Sequence, residues 1–199
     1  MHTADHERLV RLAMAQADLA AARGDAPFGA VLADSDGAVL LAEANAQATT
    51  GDPTAHAEIR LIRRAAAELG LASLDGLVVA SNAESCSMCA SALVKLRVAA
   101  VVFGAPHEPH MDPPIGLAEI AARSSHRVEV IGPVLGSECT AAIARARDRT
   151  AASATIPAPS ERIVSASRAA EGDEQAETAS AAKSARMRFA PCNLNGVNP

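Results

Sequence analysis

The sequence predicts an α/β fold, a sheet with parallel crossovers covered by helices on both faces. Three observations lead there. Apolar runs of strand length recur through the first 150 residues, Gly and Pro punctuate them, and after one early hairpin they alternate with stretches of helical period.

Asp5 to Arg23 carries Leu9, Leu12, Ala13, Gln16, Ala17 and Ala20 at helical spacing and runs into Gly24, a C-terminal stop. Phe28 to Ala33 and Val39 to Ala42 flank Asp34-Ser35-Asp36-Gly37, which has the turn chemistry of an antiparallel hairpin. A second helix is expected from Thr54, a good N-cap, to Leu69 before Gly70. Leu77 to Ala80 reads as a buried strand, Ser87 to Leu96 as a helix and Val98 to Phe103 as another strand. Val128 to Ile131 is the fifth strand and Glu138 to Arg149 the last helix.

The chain has 199 residues, 49% hydrophobic and 21% charged, which suits one domain with a real core and some spare length. Residues 1–150 hold that domain. From 151 to 199 the large apolar residues thin to Ile156, Ile163, Val164, Met187, Phe189, Leu194 and Val197, too few for a core, so a low-complexity disordered tail is expected. There is no 18-residue apolar run, and the N-terminus lacks a basic, apolar leader, so a cytoplasmic protein without a membrane span is expected. A net charge of -5 opposes a polyanionic partner, and with no Trp or Tyr there are few aromatic faces for exposed bases. Four Cys, two of them in Cys86-Ser87-Met88-Cys89, suggest metal or redox chemistry in a reducing compartment rather than a disulfide framework.

The chemistry concentrates in three short segments: His56-Ala57-Glu58 and Cys86-Ser87-Met88-Cys89, each at a helix start, and Asn45 after the second strand. Cysteines three apart at a helix start place both sulfurs on one side of the first turn. Two thiolates and an imidazole fill three corners of tetrahedral Zn2+ and leave the fourth for water. Helix N-termini aimed at one point lower thiol pKa values there. In mid-helix, residues two apart point about 200° away from each other, but at a first turn His56 and Glu58 can converge on an ion beyond the helix end. Glu58 is then a proton acceptor for water at that ion. Two alternatives remain open: a thiol redox pair, and a structural zinc site whose fourth ligand is Cys139, His107 or His110.

A wider set of residues carries a resemblance. Pro27-Phe28-Gly29-Ala30-Val31, Asn45, Asp52 to Arg60, Cys86 to Ala90, Val101 to Ala105, His126 to Val130 and Glu138-Cys139 resemble the guanine deaminase and tRNA adenosine deaminase branch of the cytidine deaminase superfamily. The match covers about residues 5 to 149. It implies a three-layer α/β/α sandwich with a five-stranded mixed sheet, and a homodimer. It gives the zinc to His56, Cys86 and Cys89, the proton shuttle to Glu58, a substrate hydrogen bond to Asn45, a backbone amide contact to Ala57 and a pocket wall to Phe28. The activity it implies is hydrolytic loss of an exocyclic amine from a nucleobase or nucleoside.

Two departures bear on this. The resembled family usually has Pro before the first Cys; Ser85 stands there and is expected to cap the helix in its place. The last helix keeps Arg145, Arg147 and Arg149 but no aromatics, and with the net charge this favours a small heterocycle over nucleic acid. A guanine-like ring is the first expectation, cytosine or aminotriazine rings the next. The alternatives are a tRNA adenosine deaminase and, of another class, a catalytically silent zinc-stabilised binding module. The proline-rich segment from Pro106 to Ile115 lies beside the expected site, and Glu108 or Asp112 is a candidate acceptor for a ring edge.

Overall fold

The computed structural model describes residues 2–107 and 113–153. Glu108, His110, Asp112 and the tail from 154 onward, with the expectations attached to them, lie outside the described residues. The elements are α1 (Thr3–Ala22), β1 (Gly29–Ala33), β2 (Val39–Ala44), α2 (Gln47–Thr50), α3 (Ala57–Leu69), β3 (Val78–Ala83), α4 (Ser87–Lys95), β4 (Ala100–Ala105), α5 (Leu117–Ala122), β5 (Glu129–Ile131) and α6 (Gly136–Ser153).

The five strands form one mixed sheet in the order β2-β1-β3-β4-β5. β1 runs antiparallel to both β2 and β3, whereas β3–β4 and β4–β5 are parallel. The Asp34–Gly37 turn closes the hairpin as expected: Asp34 Oδ1 accepts from the backbone of Asp36 and Ala38, and Gly37 takes a φ of 87° that side chains disfavour. The parallel pairs need crossovers, and α4 supplies the one between β3 and β4.

Strand residues alternate between two cores, as a period of two requires. Ala30, Leu32, Val79 and Val101 pack with Leu61 and Ala65 of α3, Leu93 of α4 and Leu117 of α5. Val31, Ala33, Ala80 and Val102 face the other way, onto Leu9 and Val10 of α1 and Cys139 and Ile143 of α6. This is the expected three-layer α/β/α sandwich. Leu32, Leu61 and Leu93 are almost wholly buried, each contributing roughly 1.5–3 kcal/mol relative to exposure. Gly29 is required by close packing: a Cβ there would collide with the Ala13 carbonyl and Gln16 of α1.

Three expectations need correction. Helix α3 starts at Ala57 with His56 as N-cap, not at Thr54; Thr54 instead gives its N–H and hydroxyl to Asp52 Oδ1, at 2.8 and 2.7 Å, in an Asx turn. Helices α2 and α5 were not anticipated, since four and six residues are too few to show a helical period. The strand boundaries also shift: β3 runs on through Ser81, Asn82 and Ala83, and β4 spans Ala100–Ala105. Both extensions carry strand backbone toward the site.

Candidate metal and active site

The site lies at the carboxyl ends of the parallel strands β3 and β4, the usual place for a ligand in a sheet of this kind. Two helices begin there, and His56 and Cys86 are their N-caps, with φ/ψ of -64°/152° and -62°/165°. The His56 side chain makes no capping bond to its own helix, whereas the Cys86 sulfur engages Cys89 in the first turn of α4. They turn toward each other: His56 Nδ1 lies 3.6 Å from Cys86 Sγ and 3.5 Å from Cys89 Sγ.

Among the described residues, His56, Cys86 and Cys89 are the one group of His, Cys, Asp and Glu able to hold a metal, with ligand atoms within 4.8 Å of one another. Tetrahedral zinc, with Zn–S near 2.3 Å and Zn–N near 2.05 Å, separates sulfur and nitrogen by about 3.5 Å, so the donor set fits that ion. The spacing expected from sequence is therefore realised in space. Cys139 takes no part; it is fully buried in the α1/α6 core beside Gly104. His107 lies on the cavity wall and is outside the metal group.

The electrostatics follow from the same contacts. The Cys86 thiol falls to about 4, chiefly through a hydrogen bond with Cys89, with His56 adding to it against burial. Its partner Cys89 moves up, through that bond to Cys86 and through burial. His56 moves up because Cys86 beside it favours the imidazolium, although burial opposes this.

Glu58 stands in the first turn of α3, 7% exposed, and its carboxyl is raised by burial. Ser85 opposes that rise: its hydroxyl donates to Glu58 Oε1 at 2.9 Å in a buried contact. The expected helix cap by Ser85 is not what forms, because Cys86 is the N-cap and the Ser85 hydroxyl is committed to Glu58.

A cavity opens beside these groups, lined by Phe28 and Ile143 on its apolar side and by Asn45, Gln47, Ser81 and Asn82 among its polar residues. Of the expected substrate contacts, Phe28 and Asn45 are on its wall. Asn45 is 1% exposed and held by Gln47, which donates its backbone N–H to Oδ1 at 3.0 Å and accepts from Nδ2 at 2.9 Å. The Ala57 side chain is packed into the core. Arg147 of α6 lies over the Phe28 ring, 5.8 Å from its centroid.

Several wall residues were not singled out in the sequence. Asn82 accepts from Gly29 N at 2.9 Å and donates to the Pro27 carbonyl at 3.0 Å, tying the entry of β1 to the end of β3. A signal existed: Ser81-Asn82 is a polar pair directly after the apolar run 77–80. His107 is also among the residues lining the cavity, but both ring nitrogens are shielded from solvent, and among the described residues neither has a hydrogen-bond partner.

Two thiols, an imidazole and a buried carboxylate at the strand ends of a three-layer mixed sheet define a metal-dependent α/β protein. Residues 3–105 match the cytidine and deoxycytidylate deaminase zinc-binding region, and the chain belongs to that family. The guanine deaminase of Bacillus subtilis (strain 168) is 42% identical over 81 residues, 41% of this chain and 51% of that enzyme. This chain thus matches about half the length of that relative. The tRNA-specific adenosine deaminase of Haemophilus influenzae is 33% identical over 142 residues, 67% of this chain and 78% of that enzyme. A solved structure from a study of A-to-I editing by tRNA:A34 deaminases has a TM-score of 0.62 at 31% identity, covering 68% of this chain and 98% of that one.

Proposed function

We propose that this protein is a zinc-dependent aminohydrolase that removes the exocyclic amine of a free nucleobase or nucleoside, a guanine-like ring first. The observation that carries the reading is the buried Glu58 carboxylate on the wall of the same cavity as His56 and Cys86. A structural metal site has no use for such a carboxylate, which argues against a silent binding module. His56, Cys86 and Cys89 hold the zinc. When bound, zinc supplies a Lewis acid that makes water nucleophilic near neutral pH. Glu58 accepts a proton from the attacking water and passes it to the departing amine, which leaves as ammonia. Phe28 and Asn45 bind the ring, the first by contact with its face and the second through its side-chain amide. Ala57 contributes its backbone N–H.

The net charge of -5 supports a single small heterocycle over a polyanionic substrate. A second reading, deamination of a tRNA adenosine, is favoured by the relatives that span most of this chain and by Arg147, which places a cation beside the cavity.

The test is ammonia release from a panel of free bases, nucleosides and an anticodon stem-loop. Wild type should release ammonia from a base or nucleoside. Glu58→Gln should keep its zinc and lose at least on the order of 10²-fold in turnover, the usual contribution of a positioned acid or base. Full activity in that variant would refute the role of Glu58.

A further inference from the structure

The Ser85 hydroxyl occupies a position that the reading above does not use. Ser85 is 1% exposed, lies one residue before the N-cap of α4, and spends its hydroxyl on another helix. Its acceptor, Glu58 Oε1, belongs to the first turn of α3, 27 residues away in sequence. We propose that Ser85 is a positioning residue for Glu58, fixing the plane of the carboxylate that transfers protons; the proposal rests on the deaminase reading for its catalytic meaning.

The physical argument starts from the torsion that turns a glutamate carboxylate. It is broad and roughly two-fold, so burial alone does not fix the plane of the carboxylate. The Glu58 backbone also hydrogen-bonds the carboxylate, and the bond from Ser85 to Oε1 adds a restraint from the start of a second helix. Ser85 provides it from the turn that precedes Cys86, so one short segment sets both a metal-ligand candidate and the orientation of the carboxylate. Proton transfer is sensitive to such placement, since displacements of about 1 Å can cost on the order of 10²-fold in rate. A residue at position 85 with no side-chain donor, such as proline or alanine, cannot make this bond, whatever it does for the start of α4.

The proposal separates from a merely structural role in two measurements on the full-length zinc-loaded protein. Ser85→Ala should retain one zinc per chain and keep KM, while kcat falls roughly 10-fold, a part of what the whole carboxylate supplies. Ser85→Thr, which keeps a hydroxyl, should recover most of that loss. Thermal unfolding of wild type, Ser85→Ala, Glu58→Ala and the double variant provides the readout independent of turnover. The double variant should lose less than the sum of the two single losses, because each single change already removes the same bond. Additive losses, or unchanged kcat in Ser85→Ala, would overturn the assignment. If wild type releases no ammonia from any compound offered, the deaminase reading falls, and the unfolding cycle still decides whether Ser85 holds Glu58.

Discussion

The backbone N–H of His107 donates to Glu84 Oε2 at 3.0 Å, and the other oxygen of the same carboxylate accepts from Leu117 N at 2.9 Å. Glu84 therefore fixes the backbone of a cavity residue and the first residue of α5 together. Glu84→Gln leaves one acceptor for two amides and faces one of them with an N–H2 group. The expected loss is roughly 1–3 kcal/mol of stability, read as a lowered melting temperature at unchanged zinc content. The same bonds make Glu84 a poor substitute for Glu58 as a base. A Glu84→Gln variant as stable as wild type would show that the two amides find other acceptors.

Zinc content tests the ligand set. The purified protein should hold about one zinc per chain, and Cys86→Ala should lose it. A chelator should lower the melting temperature of wild type, because an ion bound only by the folded state stabilises it by mass action. Zinc should restore both stability and ammonia release. Full turnover by metal-free protein would sink the assignment.

Much of this site was legible because its residues are chemically conspicuous and close in sequence. His56, Glu58, Cys86 and Cys89 fall into two short motifs, and motif spacing at a helix start translates directly into convergence. Helix α1 declared itself by apolar period, α3 by its Gly70 stop, and the strands by apolar runs. The missed features depend on contacts distant in sequence. Ser85 reads as a cap until α3 is seen to bring Glu58 to it. Asn82 stands in no motif, and its two bonds to 27–29 exist only because β1 and β3 are neighbours. The Asp52–Thr54 turn misled on the start of α3 because the same residue types serve Asx turns and helix caps.

Asp25 gives a pH dependence with a definite sign. Burial acts to raise its pKa, but the hydroxyl and backbone of Thr49, the backbone of Ala48 and Arg23 outweigh it, and the carboxyl lies below its ordinary value. It accepts from Thr49 N at 2.9 Å and from Thr49 Oγ1 at 2.6 Å, holding α2. A pKa lower in the folded than in the unfolded state means that this stabilisation is complete above about pH 4. It is lost as pH falls through the folded value. Asp25→Asn should therefore be less stable than wild type at pH 7, with the difference shrinking below pH 4 in denaturant titrations. A gap that stays constant to pH 2 would exclude Asp25 as the source.

The substrate prediction turns on salt, which separates the two substrate classes. A single ring makes few phosphate contacts, so kcat/KM should change little between 50 and 200 mM salt, whereas an anticodon stem-loop should lose affinity steeply as counterions recondense. Arg147 above Phe28 marks where a phosphate contact would first appear. If the stem-loop is deaminated and every free base and nucleoside is ignored, the small-molecule reading is wrong. Steep salt dependence, weakened by Arg147→Ala, would then place the substrate's backbone along α6.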